Sequence, residues 1–132
     1  MPAEVVRAGW IAPWLLVVAW AGLIFVFSAQ PDLRFLPDEG LDFVLRKIGH
    51  MAVFGILALL VWRAMATTTA WRRPWAWAVI LTTLYAITDE IHQSAVVGRH
   101  ASVIDVGFDT VGALIAVAAV GLVRDRWTVR RT

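Results

Sequence analysis

"GWIAPWLLVVAWAGLIFVFS", residues 9–28, holds no charged side chain in 20 positions. A helix needs about 20 apolar residues to cross ~30 Å of hydrocarbon. A core helix of a small soluble domain has no use for such a run. The segment therefore reads as a membrane span. It exceeds the ~7–15 apolar residues of a cleaved leader and carries Trp10, Trp14 and Trp20, so a retained span is expected.

Three further runs of similar length follow at 48–67, 74–93 and 102–123. Pro74 suits a first-turn position, where no helical donor is lost. The expected architecture is all-α: an integral membrane four-helix bundle forming a single transmembrane domain over 1–132. Composition agrees. The chain is 60% hydrophobic and 17% charged, with mean hydropathy +0.71. Soluble domains carry roughly 45–50% apolar and ~25% charged residues. With no cysteine, disulfides, thiol catalysis and cysteine metal sites are excluded.

Lys and Arg in short loops set orientation. Arg7, Arg63, Arg72, Arg73, Arg124, Arg126, Arg130 and Arg131 fall on one side of a four-span chain. Arg34, Arg46, Lys47 and Arg99 fall on the other, partly offset by Asp32, Asp38, Glu39 and Asp42. Both termini are therefore expected to be cytoplasmic, in a bacterial cell membrane. The tail "RDRWTVRR" at 124–131 reads as a topology signal and anionic-lipid contact. A net charge of +2 is a weak argument for a nucleic-acid partner, and none is expected.

In this orientation every polar oddity of the apolar runs reaches the outer face. Ser28 and Gln30 close the first run. His50 opens the second, "DEIHQ" at 89–93 ends the third, and Ser102, Asp105 and Asp109 open the fourth. Residues three and four apart share a helix face. Asp89, His92 and Gln93 thus form one face, with Glu90 displaced by about 100°. Ser102, Asp105 and Asp109 form another stripe. The pair Gly112 and Ala116 has the small-xxx-small spacing that allows close helix approach. In the short connection at 94–101, Gly98 is free to take a positive φ. "PDLRFLPDEGLDFVLRK" at 31–47 is expected to lie flat on the outer face and roof the site.

"FSAQP" at 27–31, "KIGHMAVFGILALL" at 47–60 and "TDEIHQSAVVGRHASVIDVGFDTVGALIA" at 88–116 occur in this order. Together they resemble the VanZ-like family of small bacterial membrane proteins. The aromatic and proline that the family places before its Gly-Arg pair read "SAVV" here. The family name comes from a glycopeptide-resistance cluster whose member is associated with low-level teicoplanin resistance. The resemblance implies a membrane protein acting at the cell envelope. It marks His50, Asp89, Glu90, His92, Gln93, Arg99, Asp105 and Asp109.

Three functions fit these residues. One is an enzyme facing the outer leaflet, in which His50, Asp89, Glu90, His92, Asp105 and Asp109 supply acid–base groups of divergent pKa. Arg99 would hold a phosphate or carboxylate, with Gln93, Ser102 and Gln30 as further substrate contacts. Its partner would be a membrane lipid or lipid-linked cell-envelope precursor. The second is a binding or transport element, for which four spans are few without homo-oligomerisation. The third is a structural network locking the spans together, although like charges make carboxylates inefficient glue. D-E-x-H-Q is no established ligand spacing, so no metal site is assigned, and the sequence names no cofactor.

Overall fold

The computed structural model describes residues 3–30 and 36–129, with side chains over 9–30 and 36–123. Asp32, Arg34 and Phe35 lie outside the described residues, as do the side chains of Arg7 and of the tail arginines. The described residues form four helices, α1 (Ala3–Ser28), α2 (Glu39–Thr68), α3 (Pro74–Ser94) and α4 (Val103–Val129). They pack as a bundle. α2 is central and touches the other three, whereas among the described residues α1 and α4 make no close backbone approach to each other.

The core is a ladder of medium and small residues. Ile24, Phe54, Leu57, Val61, Met65, Ala78 and Ala86 form its main body, and Ala58, Ala113 and Val117 a second cluster. α2 and α4 run in parallel and meet at the small residues. A Cβ on Gly112 would stand 2.2 Å from the Met51 carbonyl oxygen, and one on Gly55 would stand 3.2 Å from Ala116 Cβ. The expected close approach of Gly112 and Ala116 is therefore present, and its partner is α2.

Indoles and hydroxyls tie the helices at other levels. Trp20 Nε1 donates to the Val53 carbonyl at 2.9 Å, and Tyr85 Oη donates to the Ala21 carbonyl at 2.6 Å. Trp14 Nε1 donates to Thr68 Oγ1 at 2.9 Å, and the hydroxyls of Thr83 and Thr110 meet at 3.1 Å.

Among the described residues three helices are long and apolar enough to cross a membrane: Gly9–Ser28, Glu39–Thr68 and Val103–Val123. α3 falls short on composition, not on length, since its 21 residues span ~31 Å. The cause lies in its buried stripe. That stripe runs Ala78, Thr82, Ala86, Asp89, Glu90 and Gln93, while Ile80, Leu84, Ile87 and Ile91 are exposed. Thr82, Asp89, Glu90 and Gln93, which lower its average hydropathy, face the bundle, and its exposed surface is mostly aliphatic and aromatic.

α2 begins at Glu39, well before the expected start at 48. Asp38 is its N-cap and accepts the Leu41 N–H at 2.8 Å. Glu39 and Asp42 in the first turn favour a helix start through the dipole. Asp42 is buried, accepts the Leu36 N–H at 3.0 Å and pairs with Arg46 one turn on. The segment from Glu39 onward is thus the first turns of α2, not a separate element lying flat. Two local expectations hold: Pro74 starts α3, and Gly98 has φ +83°.

Candidate functional site

The polar residues gather where α1 ends, α3 ends, and α2 and α4 begin. Two rungs join α2 to α4. Lys47 Nζ pairs with Asp105, and His50 Nδ1 stands 3.5 Å from Asp109 Oδ1. The rungs follow from spacing: 47 and 50 on α2, and 105 and 109 on α4, each lie one turn apart on parallel helices. Asp109 is only 1% exposed, and among the described residues neither of its carboxyl oxygens has a hydrogen-bond partner.

α3 divides its polar residues between two neighbours. Asp89 Oδ2 accepts from Ser28 Oγ and from Gln93 Nε2, both at 2.8 Å, latching α3 to the end of α1. His92 lies on the same face, its ring stacked on Phe25 with centroids 4.0 Å apart. Glu90, rotated from them as the helical period requires, turns toward α4. Its Oε2 accepts the Ser102 N–H at 2.7 Å. Ser102 Oγ in turn accepts the Asp105 N–H at 3.3 Å and caps α4.

The expected set therefore comes together at one end of the bundle, but not as one ring of contacts. Asp89 is within electrostatic range of His50 and of Asp109, and Glu90 within range of Asp89, Asp105 and Asp109. His92 sits against α1, away from the α2–α4 rungs. Gln30 is exposed, and among the described residues its amide reaches only to its own helix, 3.5 Å from the Val26 carbonyl. Arg99 crosses from the α3–α4 connection and donates to the Ser28 carbonyl at 2.8 Å. Among the described residues no carboxylate pairs with it.

Besides Asp109, several buried polar atoms have no hydrogen-bond partner among the described residues: Asp89 Oδ1, Glu90 Oε1, His50 Nδ1 and His92 Nε2. Among the described residues no three His, Asp or Glu side chains are grouped to hold a metal ion. A cavity of about 640 Å³ opens between α1 and α2. Trp20, Leu23, Ile24, Phe27, Leu45, Ile48, Ala52 and Val53 give it apolar walls, and Ser28, Arg46, His50 and Arg99 stand at the end where the polar residues gather.

Sequence reading missed two residues of this region, Ser28 as the donor to Asp89 and Asp42 as a buried acid. Ser28 had a signal, a hydroxyl closing an uninterrupted apolar run. Asp42 had one too, an acid four residues before Arg46.

Aliphatic surfaces outside, carboxylates and imidazoles inside, and spans of sufficient length define a multi-pass helical membrane protein with a polar cluster at one end. Residues 13–124 match the VanZ/LLP1 family. The chain belongs to that family, as its motifs imply. No curated protein and no solved structure matches it.

Proposed function

We propose that the polar end of the bundle is the working site of the protein. It acts at the extracytoplasmic face of the bacterial cell membrane, on a lipid-linked or cell-envelope component. The observation that carries this reading is the set of buried carboxyl oxygens without a hydrogen-bond partner among the described residues: both of Asp109, one of Asp89 and one of Glu90. Buried polar groups are normally paired, and a charge in the membrane costs ~2.5–3.5 kcal/mol even on the mildest scale. Residues kept there without full pairing point to a role beyond packing.

His50 and Asp109 are placed as an acid–base pair, with Asp89 and Glu90 setting the field around them. Arg99 is the group suited to an anion. The inside-out surface of α3 supports a fourth span. With four spans, the Lys and Arg asymmetry puts both termini in the cytoplasm and the cluster outside. The family's link to teicoplanin resistance makes glycopeptide tolerance the phenotype to measure.

A structural role has its own support, because Ser28, Asp89 and Gln93 satisfy one another and Glu90 anchors Ser102. Asp109→Asn separates the two readings. It should be expressed in a strain lacking the protein, with teicoplanin tolerance and the lipid-linked precursor pool measured beside thermal stability in detergent. Loss of phenotype with unchanged stability is expected; a wild-type phenotype would leave only the structural reading.

A further inference from the structure

The cavity between α1 and α2 is open toward the surface that faces lipid. Its walls, Trp20, Ile24 and Phe27 on α1 and Ile48 and Val53 on α2, offer hydrocarbon nothing but hydrocarbon and aromatic ring. From Ser28 to Trp20 it runs ~12 Å along α1, toward the middle of the membrane. Its volume falls within the ~300–1,000 Å³ of ordinary ligand sites. Polar character is confined to one end, where Arg46 and His50 of α2 meet Arg99 of the α3–α4 connection.

Arg99 distinguishes this groove from a bare helix junction. Its guanidinium is held by a single bond to the Ser28 carbonyl, with no carboxylate paired to it among the described residues. Guanidinium groups bind phosphate with two parallel N–H donors. A carbonyl accepts from one, leaving donors for an anion at the groove's mouth. Arg46, though paired with Asp42, adds positive potential at the same end.

We propose that this groove is the berth of a membrane lipid with a phosphate head group. Its hydrocarbon chain lies between α1 and α2, and its phosphate meets Arg99 beside His50. Entry is sideways from the outer leaflet, since among the described residues no helix closes one side of the groove. The inference rests on the outward orientation proposed above, and it places the lipid part of the ligand where that reading left it unassigned.

Gly49 provides the test. It lines the groove, and a Cβ added there meets no atom within 4 Å. Gly49→Phe should therefore fill the groove without moving the backbone. Ala52→Trp fills it from the next turn and serves if the first variant folds poorly. Full-length protein is reconstituted in phosphatidylcholine vesicles doped with phosphatidic acid, and lipids retained on the chain are counted by native mass spectrometry.

The wild type should keep one phosphatidic acid in preference to phosphatidylcholine by roughly tenfold. Gly49→Phe should keep neither. Arg99→Gln should keep a lipid but lose the preference for phosphatidic acid. Several lipids of both kinds, unchanged in Gly49→Phe, would mean an annular shell only and overturn the proposal. A wild-type phenotype in Asp109→Asn with selective lipid retention intact sinks the reading of the carboxylates and leaves the groove standing. Loss of phenotype in Asp109→Asn with no selective lipid does the reverse.

Discussion

Gly112 of α4 lies so close to Met51 of α2 that a Cβ on the glycine would stand 2.2 Å from the Met51 carbonyl oxygen. Met51 follows His50, and Gly112 lies one turn beyond Asp109. The backbone approach therefore fixes how near His50 and Asp109 come, 3.5 Å in the folded chain. No rotamer change relieves a contact with backbone. Gly112→Ala should force α2 and α4 apart and cost ~1–3 kcal/mol, the usual range for overpacking. Gly55→Ala, whose Cβ would meet its nearest atom at 3.1 Å, should cost less. Unfolding in mixed detergent and SDS measures both, and equal stability of Gly112→Ala and wild type would contradict the packing described.

The latch between α1 and α3 gives a second prediction. Ser28 and Gln93 both donate to Asp89 Oδ2. Ser28→Ala removes one donor and leaves the other, so it should cost ~0.6–2 kcal/mol, as polar bonds within membranes do. Asp89→Ala removes the shared acceptor, leaving Ser28 Oγ–H without one and Gln93 Nε2 with only its longer 3.4 Å contact to Ser28 Oγ, so its cost should exceed that of Ser28→Ala. The same unfolding assay checks the order, and a reversed order would show that burying Asp89 outweighs what its bonds return.

Much of this arrangement was legible in the sequence, and the reasons for the remainder are specific. The four helices and three of the spans followed from run length, and the common face of Asp89, His92 and Gln93 followed from helical period. Period says nothing about how far each helix is rotated against its neighbours. His92 was therefore expected beside the α4 acids and instead stacks on Phe25 of α1. Lys47 pairs with Asp105 because α2 starts at Glu39 and so carries it one turn before His50. That start was signalled by Asp38, Glu39 and Asp42, a capping residue followed by acids. The apolar residues interleaved with them read instead as a flat amphipathic roof. In α3 the acids Asp89 and Glu90 lower the average hydropathy although both are buried in the bundle.

Topology is open to direct measurement because the chain has no native cysteine. Val97, 89% exposed in the α3–α4 connection, and Ala70, exposed in the α2–α3 connection, are suitable sites. Val97→Cys in intact cells should react with an impermeant maleimide. Ala70→Cys should react only after permeabilisation. The opposite pattern would move the polar cluster to the cytoplasmic side and end the case for action at the outer face.

Glu90 separates charge from architecture most cleanly. One of its oxygens accepts the Ser102 N–H at 2.7 Å and so holds the start of α4, while the other has no partner among the described residues. Glu90→Gln keeps an oxygen for Ser102 and removes only the charge. Glu90→Ala removes both. If the residue serves only as an anchor, the glutamine variant should match wild type, with some relief of repulsion from Asp89, Asp105 and Asp109. The alanine variant should lose ~0.5–2 kcal/mol, as helices do without a cap. If the carboxylate takes part in proton transfer or binds a cationic group, the glutamine variant should fold normally and still fail. A positioned acid or base contributes ~10²–10⁴-fold. The expected result is therefore a stable Glu90→Gln protein with a severe envelope defect, and a Glu90→Ala protein that is both unstable and inactive. Teicoplanin tolerance beside unfolding in detergent reads the two effects independently. Full tolerance in Glu90→Gln would assign Glu90 to the architecture of α4 alone.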